Sequence, residues 1–412
     1  MRIVTEATLA SVLNRLVGTP RVVVSGNFAT PWETLAILDK ALPEYHLFAL
    51  NAQPGTPDRD GVILETPFVG PGMRHSERLR YLPCRLSLVP SLLSTTLQPD
   101  VVVVHVSAPV GGTVSLGTEV NILPAAIEAV RARGGLVIAQ VNPQMPYTYG
   151  DGVLATADID LAVEVDVPLA SPTARAADGA VLHESIGARV AALVPEAATL
   201  QLGIGGVPDA VLAALRRHKG LSVWSEMFSD GVLALERSGA LAPNVPVTAS
   251  FAFGTPELYA WIDGNPRIRM LRTEKTNDPG LISRQPTMVS VNSALQVDLF
   301  AQANAARVHG MIYSGFGGQT DFVVGALHSP GGRAIIALPS WHPKADVSTV
   351  VPSLAGPVTS FQHSYIVSEQ GIAEIWGNDA STQAAQIISN VAHPDARAGL
   401  LVAGRDLGFR LD

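Results

Sequence analysis

Two stretches in different halves of the chain repeat one spacing, Gly26-x4-Pro31-x3-Leu35 and Gly203-x4-Pro208-x3-Leu212. Each follows a short apolar run (Val22–Ser25 and Thr199–Leu202) and opens an apolar-periodic segment. A buried strand, a glycine turn and a helix starting at proline form the entry to a βα unit, because proline's missing N–H has no partner in the first helical turn anyway. Found twice, the pattern restricts the chain to strand–helix alternation in two tandem domains of like topology.

The remaining runs agree. Arg21–Ser25, His46–Leu50, Gly61–Glu65, Val101–Val106 and Gly135–Val141 read as buried parallel strands in the first half. In the second, Leu221–Trp224, Val247–Phe251, Ile268–Leu271 and Met288–Ser290 are strand candidates, Arg333–Pro339 is an apolar run that ends in proline, and Tyr365–Ser368 precedes Gln370-Gly371. Helices are predicted over Glu6–Val17, Pro31–Leu42, Ile122–Arg133, from Pro208 to about His218, and over Thr382–Val391. The expected fold class is α/β: mostly parallel sheets flanked by helices, in domains 1–180 and 181–412. The boundary is expected within Pro168–Gly187, a Pro-, Ala-, Ser- and Gly-rich stretch.

Composition excludes several classes. Hydrophobic residues make up 47% of the 412 and charged ones 16%, so the chain has apolar surface enough for large cores and is not disordered. The formal charge is −8 with no basic cluster, which argues against nucleic acid. Cys84 is the single cysteine, so no internal disulfide or cysteine-rich metal site forms. No window approaches 18 uninterrupted apolar residues, and the N-terminal segment is amphipathic and carries Glu6, unlike a signal peptide. A cytoplasmic protein that binds no membrane is expected.

The stretch Gln201–Gly231 concentrates the candidate chemistry. Gly203, Gly205 and Gly206 let a ligand approach the backbone, and the helix that follows offers free N–H groups and the positive end of its dipole to an anion. A plain strand–helix connection has the same pattern. No Gly-Lys-Ser/Thr follows, so this is not a phosphate loop of the Walker type, and Pro208 replaces the last glycine of a dinucleotide fingerprint. Glu226 then follows the Leu221–Trp224 strand, with Ser225 between them. A carboxylate at a strand end serves as a surface charge, or as a nucleophile on an activated acyl carbon if donors stand by to hold the oxyanion. The Leu202–Gly205 and Gly315–Gly318 turns are the candidate donors. The histidines show no metal spacing; His342 and His393, each followed by proline, are expected in turns or caps. Asp230, Asp298 and Asp321 show no pairing at hydrolase or metal spacing.

Taken in order, GIGGVPDAV, WSEMFSDGVLALERSGAL, MVSVNSALQVDL, YSGFGGQTDFVVGA, GGRAIIALPS and NVAHPDAR resemble the acetyl-CoA hydrolase/transferase family, nearest to its 4-hydroxybutyrate or butyrate:acetate CoA-transferase branch. The resemblance is strongest over Leu202–Arg397 and extends more weakly into the first half through His105–Gly117 and Ala139–Gly152. It implies CoA-transferase-like domains and an enzyme that moves CoA between a short- or medium-chain acyl-CoA and a small carboxylic acid by a ping-pong route. Glu226 falls on the family's catalytic glutamate. By that resemblance it forms an acyl-glutamyl anhydride and then a glutamyl-CoA thioester, with Gly317 and Gly318 supplying oxyanion donors. The CoA-contacting turn falls on Gln201, Leu202, Gly203, Ile204 and Gly205, with Asn292, Gly318 and Lys344 as further CoA contacts. The acyl pocket is expected to draw on Gly26–Pro31, Ser107–Gly112 and Met145–Tyr149. CoA enters as substrate, no metal or redox cofactor is implied, and a homo-oligomer is expected. The same site run with water is an acetyl-CoA hydrolase. A non-catalytic CoA-binding paralogue is the rival of another class, and both glycine turns together with Glu226 argue against it. An NAD-dependent dehydrogenase could use Glu226 as the acid twenty residues beyond Gly206, but leaves GFGGQTDF unexplained. The sequence departs from the family pattern at Gln296, over Trp341–Thr349 and in the segment before His393, at substrate contacts rather than at the nucleophile.

Overall fold

A computed structural model describes residues 1–172, 179–342, 344–356, 358 and 362–411. The chain folds into two compact units. The first is Met1–Pro172 with Pro246–Thr276 and Ile312–Gly317, and the second Thr173–Val245 with Asn277–Met311 and Gly318–Asp412. The units therefore interleave along the chain, in contrast to the consecutive pieces 1–180 and 181–412. The physical reason is strand pairing. Val247–Ala249 pairs in parallel with Ile268–Met270, which pairs in parallel with Tyr149–Gly150, and Gly315 bridges Phe68. Those pairings return two later segments to the first unit. Of the expected boundary stretch, residues 173–178 lie outside the described residues.

The first unit is built on an eight-stranded, all-parallel sheet. Its order is Arg2–Ile3, Leu161–Glu164, Leu136–Val141, Val101–Val106, Arg21–Val24, Tyr45–Phe48, Val62–Thr66, Leu79–Tyr81. Parallel strands need helical crossovers that cover both faces, which is why these runs are apolar without alternation. Val101, Val102, Val103 and Val104 are all fully buried. Helices Glu6–Leu13, Trp32–Ala41 and Leu123–Ala132 supply crossovers. The first ends four residues short of the expected Val17. Pro31 caps the second rather than beginning it. The Gly26 turn is a packing device: a Cβ there would stand 2.3 Å from the Leu50 carbonyl oxygen.

Six strands of the second unit lie side by side in the order Ile372–Glu374, Tyr365–Val367, Arg333–Ala337, Met288–Ser293, Thr199–Leu202, Ser222–Trp224. All neighbours are parallel except the antiparallel edge strand Ile372–Glu374. From Thr199–Leu202 the chain moves outward to Ser222–Trp224, then returns to Met288–Ser293 on the other side. The strand order reverses between Thr199–Leu202 and Met288–Ser293, and ligands of open α/β sheets bind outside the carboxyl ends of strands at such a reversal. A cluster including Val297, Leu299, Ile336, Leu338, Ile366 and Ile387 forms the core on one side. The late helix is Ala380–Gln386, capped by Asp379 and followed by a π-turn at Ile387–Val391. His393 caps the next helix, Pro394–Asp406, by accepting from the Asp395 N–H, and the His342 ring accepts from the Ala345 N–H within a turn. Both histidines hold the expected turn and cap roles.

Candidate active site

The reversal point in the second unit is where the candidate residues gather. Strand Thr199–Leu202 ends in the Gly203–Gly206 turn, and helix Gly206–Ala214 begins directly, two residues earlier than Pro208. Pro208 fits inside this first turn because the N–H it lacks would have had no helical partner. Gly205 stands at φ +121°, a conformation in which a side chain is strained. At Gly203 and Gly205 an added Cβ would meet nothing within 4 Å, so this turn opens onto free space, unlike the Gly26 turn. Gly206 instead packs on the His183 ring, 2.4 Å from such a Cβ. Ile204 is exposed at the tip.

Beneath the turn, Gln201 and Asn292 belong to one polar network. Strand register sets Gln201 beside Ser290. Gln201 Oε1 accepts from Ser290 Oγ at 2.7 Å and from Asn292 Nδ2 at 3.2 Å, and Asn292 Nδ2 also donates to Ser290 Oγ at 2.8 Å. A buried amide that is bonded in this way holds the adjoining strand ends in place, since an unmade bond there would cost about 1–3 kcal/mol.

Strand Ser222–Trp224 runs parallel to Thr199–Leu202 and delivers Ser225 and Glu226 beside the same turn. Ser225 is buried and donates through Oγ to the Leu202 carbonyl at 3.1 Å, which pins the residue before Glu226 to the strand before Gly203. Glu226 accepts from Asn277 Nδ2 at 2.8 Å through Oε2. Gly318 packs on the same oxygen: a Cβ there would stand 2.1 Å from Oε2 and 2.5 Å from Asn277 Nδ2. Gly318 caps the N-terminus of helix Gln319–His328, whose first turn carries the fully buried Asp321. The preceding Gly317 has φ +57°, the left-handed region that glycine enters without strain.

Glu226 is half-buried by accessible surface, and the protein packed around its carboxylate desolvates it. Desolvation raises its pKa from 4.5 to about 7, the Asn277 hydrogen bond works in the opposite direction, and the Asp321 charge adds to the rise. A desolvated carboxylate that titrates near neutrality can act as a nucleophile or as a general acid–base.

Of the expected site residues, the structure brings together Glu226, Gly318 and, through Ser225 and the strand ends, Gln201 to Gly205 and Asn292. Lys344 stands apart, exposed in the turn between Trp341–His342 and Val347–Ser348. Among the described residues no hydrogen bond or ion pair joins it to the cluster. Asn277 and Asp321 escaped sequence reasoning as partners of Glu226. Asn277 is 51 positions away in a loop, with no spacing that links it to a strand end. Asp321 had a usable signal, since it lies three residues after Gly318 on a helix and so shares a face with it. Asp298 is a turn residue, accepting from Phe300, Gln302 and Leu354 N–H groups. Among the described residues no group of three His, Cys, Asp or Glu could hold a metal ion, and no helix is long and apolar enough to cross a membrane.

The chain is 37% identical over 340 residues to the 4-hydroxybutyrate coenzyme A transferase of Clostridium kluyveri, covering 79% of this chain and 77% of that one. It belongs to the acetyl-CoA hydrolase/transferase family. Residues 254–403 match the model of the family's C-terminal domain, described as acetyl-CoA hydrolase/transferase C-terminal domain. The family's fold is shared in full. RipA from Yersinia pestis superposes with a TM-score of 0.91 at 27% identity, covering 99% of this chain and 98% of that one. The 4-hydroxybutyrate CoA-transferase of Porphyromonas gingivalis does so at 0.82 and 31%, covering 98% of each chain. Curated relatives in the family carry both CoA-transferase and acetyl-CoA hydrolase names.

In the first unit, Gly26–Pro31 and Ser107–Gly112 follow the two strands that flank that sheet's own order reversal, Arg21–Val24 and Val101–Val106. There Asn27, at φ +47°, donates to both oxygens of the buried Glu119, at 3.0 and 2.9 Å.

Proposed function

We propose that this chain is a CoA-transferase that exchanges CoA between a short- or medium-chain acyl-CoA and a free carboxylate, with Glu226 as covalent nucleophile. The observation that carries the reading is the Glu226 carboxylate itself. It is desolvated, held at one oxygen by Asn277, and pressed against Gly318 at the strand-order reversal of its sheet. Glu226 attacks the thioester carbonyl, and the negative charge that develops on the carbonyl oxygen is met by N–H groups of the Gly317–Gly318 turn. Collapse of the tetrahedral species breaks the C–S bond, giving an acyl-glutamyl anhydride and CoA thiolate. The thiolate attacks the glutamyl carbonyl, forming the glutamyl-CoA thioester and releasing the first acid. A second carboxylate then runs both steps in reverse. The open face of Gly203 and Gly205 is where the CoA moiety approaches the backbone, with Gln201 and Asn292 holding that edge. Lys344 is a peripheral CoA contact in this reading, not part of the reacting centre.

Water competes with the second acid at the acyl stage, and the same site run with water is a hydrolase. The test is free-thiol release and acyl-CoA exchange over a panel of acyl-CoAs, with and without acetate. A transferase yields new acyl-CoA in the presence of acetate and little free thiol. A hydrolase yields thiol at the same rate whether or not acetate is present. Full turnover by Glu226→Gln would exclude the nucleophile assignment, and full turnover by Glu226→Asp would remove the geometric argument, because one methylene withdraws the carboxylate from Asn277 and Gly318.

A further inference from the structure

The Gly203–Gly206 turn is anchored at both ends and open in the middle. At its strand end the Leu202 carbonyl accepts from Ser225 Oγ at 3.1 Å. At its helix end the support comes from another helix, Ala180–Ala192. His183 makes the first bond of that helix, its N–H donating to the Gly179 carbonyl at 2.9 Å. Side chains on a helix point back towards its N-terminus. The His183 ring accordingly lies over Gly179 and against Gly206. A Cβ on Gly179 would stand 3.4 Å from ring Cε1, and one on Gly206 only 2.4 Å from both Cε1 and Nδ1.

One turn further on, Gly187 presses on Ala210 of helix Gly206–Ala214: a Cβ there would stand 2.6 Å from the Ala210 carbonyl carbon. His183 and Gly187 are four residues apart, as are Gly206 and Ala210, so both contacts lie along one face of each helix. The Gly187–Ala210 contact sets how closely the helices approach, and the imidazole fills the space beside Gly206. Gly206 is not among the glycines of positive φ, so it is the ring and not the backbone angle that requires glycine there. Between the two anchors, Gly203 and Gly205 have nothing within 4 Å of an added Cβ, and Ile204 is exposed. A backbone cradle binds tightly when it is already held in its bound shape, because ordering it on binding costs affinity.

We propose that His183 is a positioning residue for CoA, whose ring, packed against Gly206, holds the helix end of the turn and presents Gly203–Gly205 to the ligand preformed. This rests on the CoA role of that turn proposed above. The role is one of shape, so a flat ring without nitrogens serves as well as the imidazole.

The experiment is a double-mutant cycle on the full chain. Wild type, His183→Ala, Gly206→Ala, the double variant and His183→Phe are compared for kcat, for KM with acetyl-CoA and with acetate, and for thermal melting. The expected result for His183→Ala is a KM for acetyl-CoA raised about tenfold, the order expected when one further backbone residue must be ordered on binding, with kcat and KM for acetate changed far less. Gly206→Ala displaces the ring and raises the same KM, but has no further effect once His183→Ala is present. His183→Phe stays near wild type. Should His183→Ala fail to fold, His183→Gln takes its place in the cycle. A folded His183→Ala whose KM for acetyl-CoA matches wild type overturns the inference, as do two single effects that multiply independently in the double variant. A His183→Phe as impaired as His183→Ala also overturns it, since the ring nitrogens would then be touching the ligand. Each of these leaves the transferase reading intact. Wild type that turns over no acyl-CoA of the panel overturns that reading, and this inference with it.

Discussion

Gly318→Ala isolates the contact on which the proposed chemistry depends. The glycine has φ −94°, so alanine meets no backbone penalty. Its Cβ, however, would stand 2.1 Å from Glu226 Oε2 and 2.5 Å from Asn277 Nδ2. Carbon–oxygen contacts begin near about 3.3 Å, so the carboxylate, the amide or the helix start must give way by about 1 Å. A displacement of about 1 Å at a reacting group costs on the order of 10²-fold in rate, equivalent to about 2.7 kcal/mol of barrier. Both displaced groups are side-chain termini, so the fold survives. The assay is kcat and KM for acyl-CoA and for acetate, with thermal melting as a control. The expected outcome is a kcat lowered about 10²-fold, with KM for acetyl-CoA changed far less and melting within a few degrees of wild type. A variant that keeps kcat within threefold would refute the argument that Gly318 fixes the Glu226 carboxylate.

Gly203→Ala is the complementary case. Nothing lies within 4 Å of its added methyl, so the protein tolerates it, and a rise in KM for acyl-CoA with melting unchanged identifies ligand in that space; an unchanged KM places CoA elsewhere. Asn277→Ala removes a hydrogen bond that stabilises charged Glu226, worth about 1.5–3 kcal/mol. The acid limb of kcat/KM should therefore move up from about 7 by about one to two units, and a limb that stays still contradicts the assignment. Stability gives an independent reading of the same group. Folded Glu226 binds its proton more tightly than the unfolded chain does, about 7 against 4.5. Its contribution is thus fully present below pH 4.5 and is lost as pH rises through 7, about 3 kcal/mol in all. Glu226→Gln should melt higher than wild type at pH 8 and converge with it near pH 4.5; a constant difference across that range would show that Glu226 is not desolvated in the folded protein.

The features legible in the sequence were those set by local chemistry. Val101–Val106 occupies the expected strand residue for residue, because a six-residue run with five valines, bounded by turns, has few alternatives. The place of Glu226 after a strand was legible, but the pattern left it a surface charge or a nucleophile, and only the family resemblance singled it out as the catalytic candidate. The two matching glycine turns show where spacing stops being informative. Gly26 packs against the Leu50 carbonyl while Gly203 faces open space, and that difference is set by what folds over each turn. Asn277 and Asp321 reach Glu226 across 51 and 95 residues, distances over which periodicity carries no signal. The interleaving of the units had the same origin: Val247–Ala249 and Ile268–Met270 read correctly as strands, but nothing local dictates that Tyr149–Gly150 would be their partner.

The most direct test of the central claim is chemical trapping of the enzyme during turnover. The protein is incubated with acetyl-CoA or butyryl-CoA, treated with borohydride, digested, and mapped by mass spectrometry. The account predicts a CoA-bearing species before reduction, and after reduction a single glutamate converted to its alcohol, at Glu226. Turnover with Glu226 unmodified, or with the label on another residue, would contradict it.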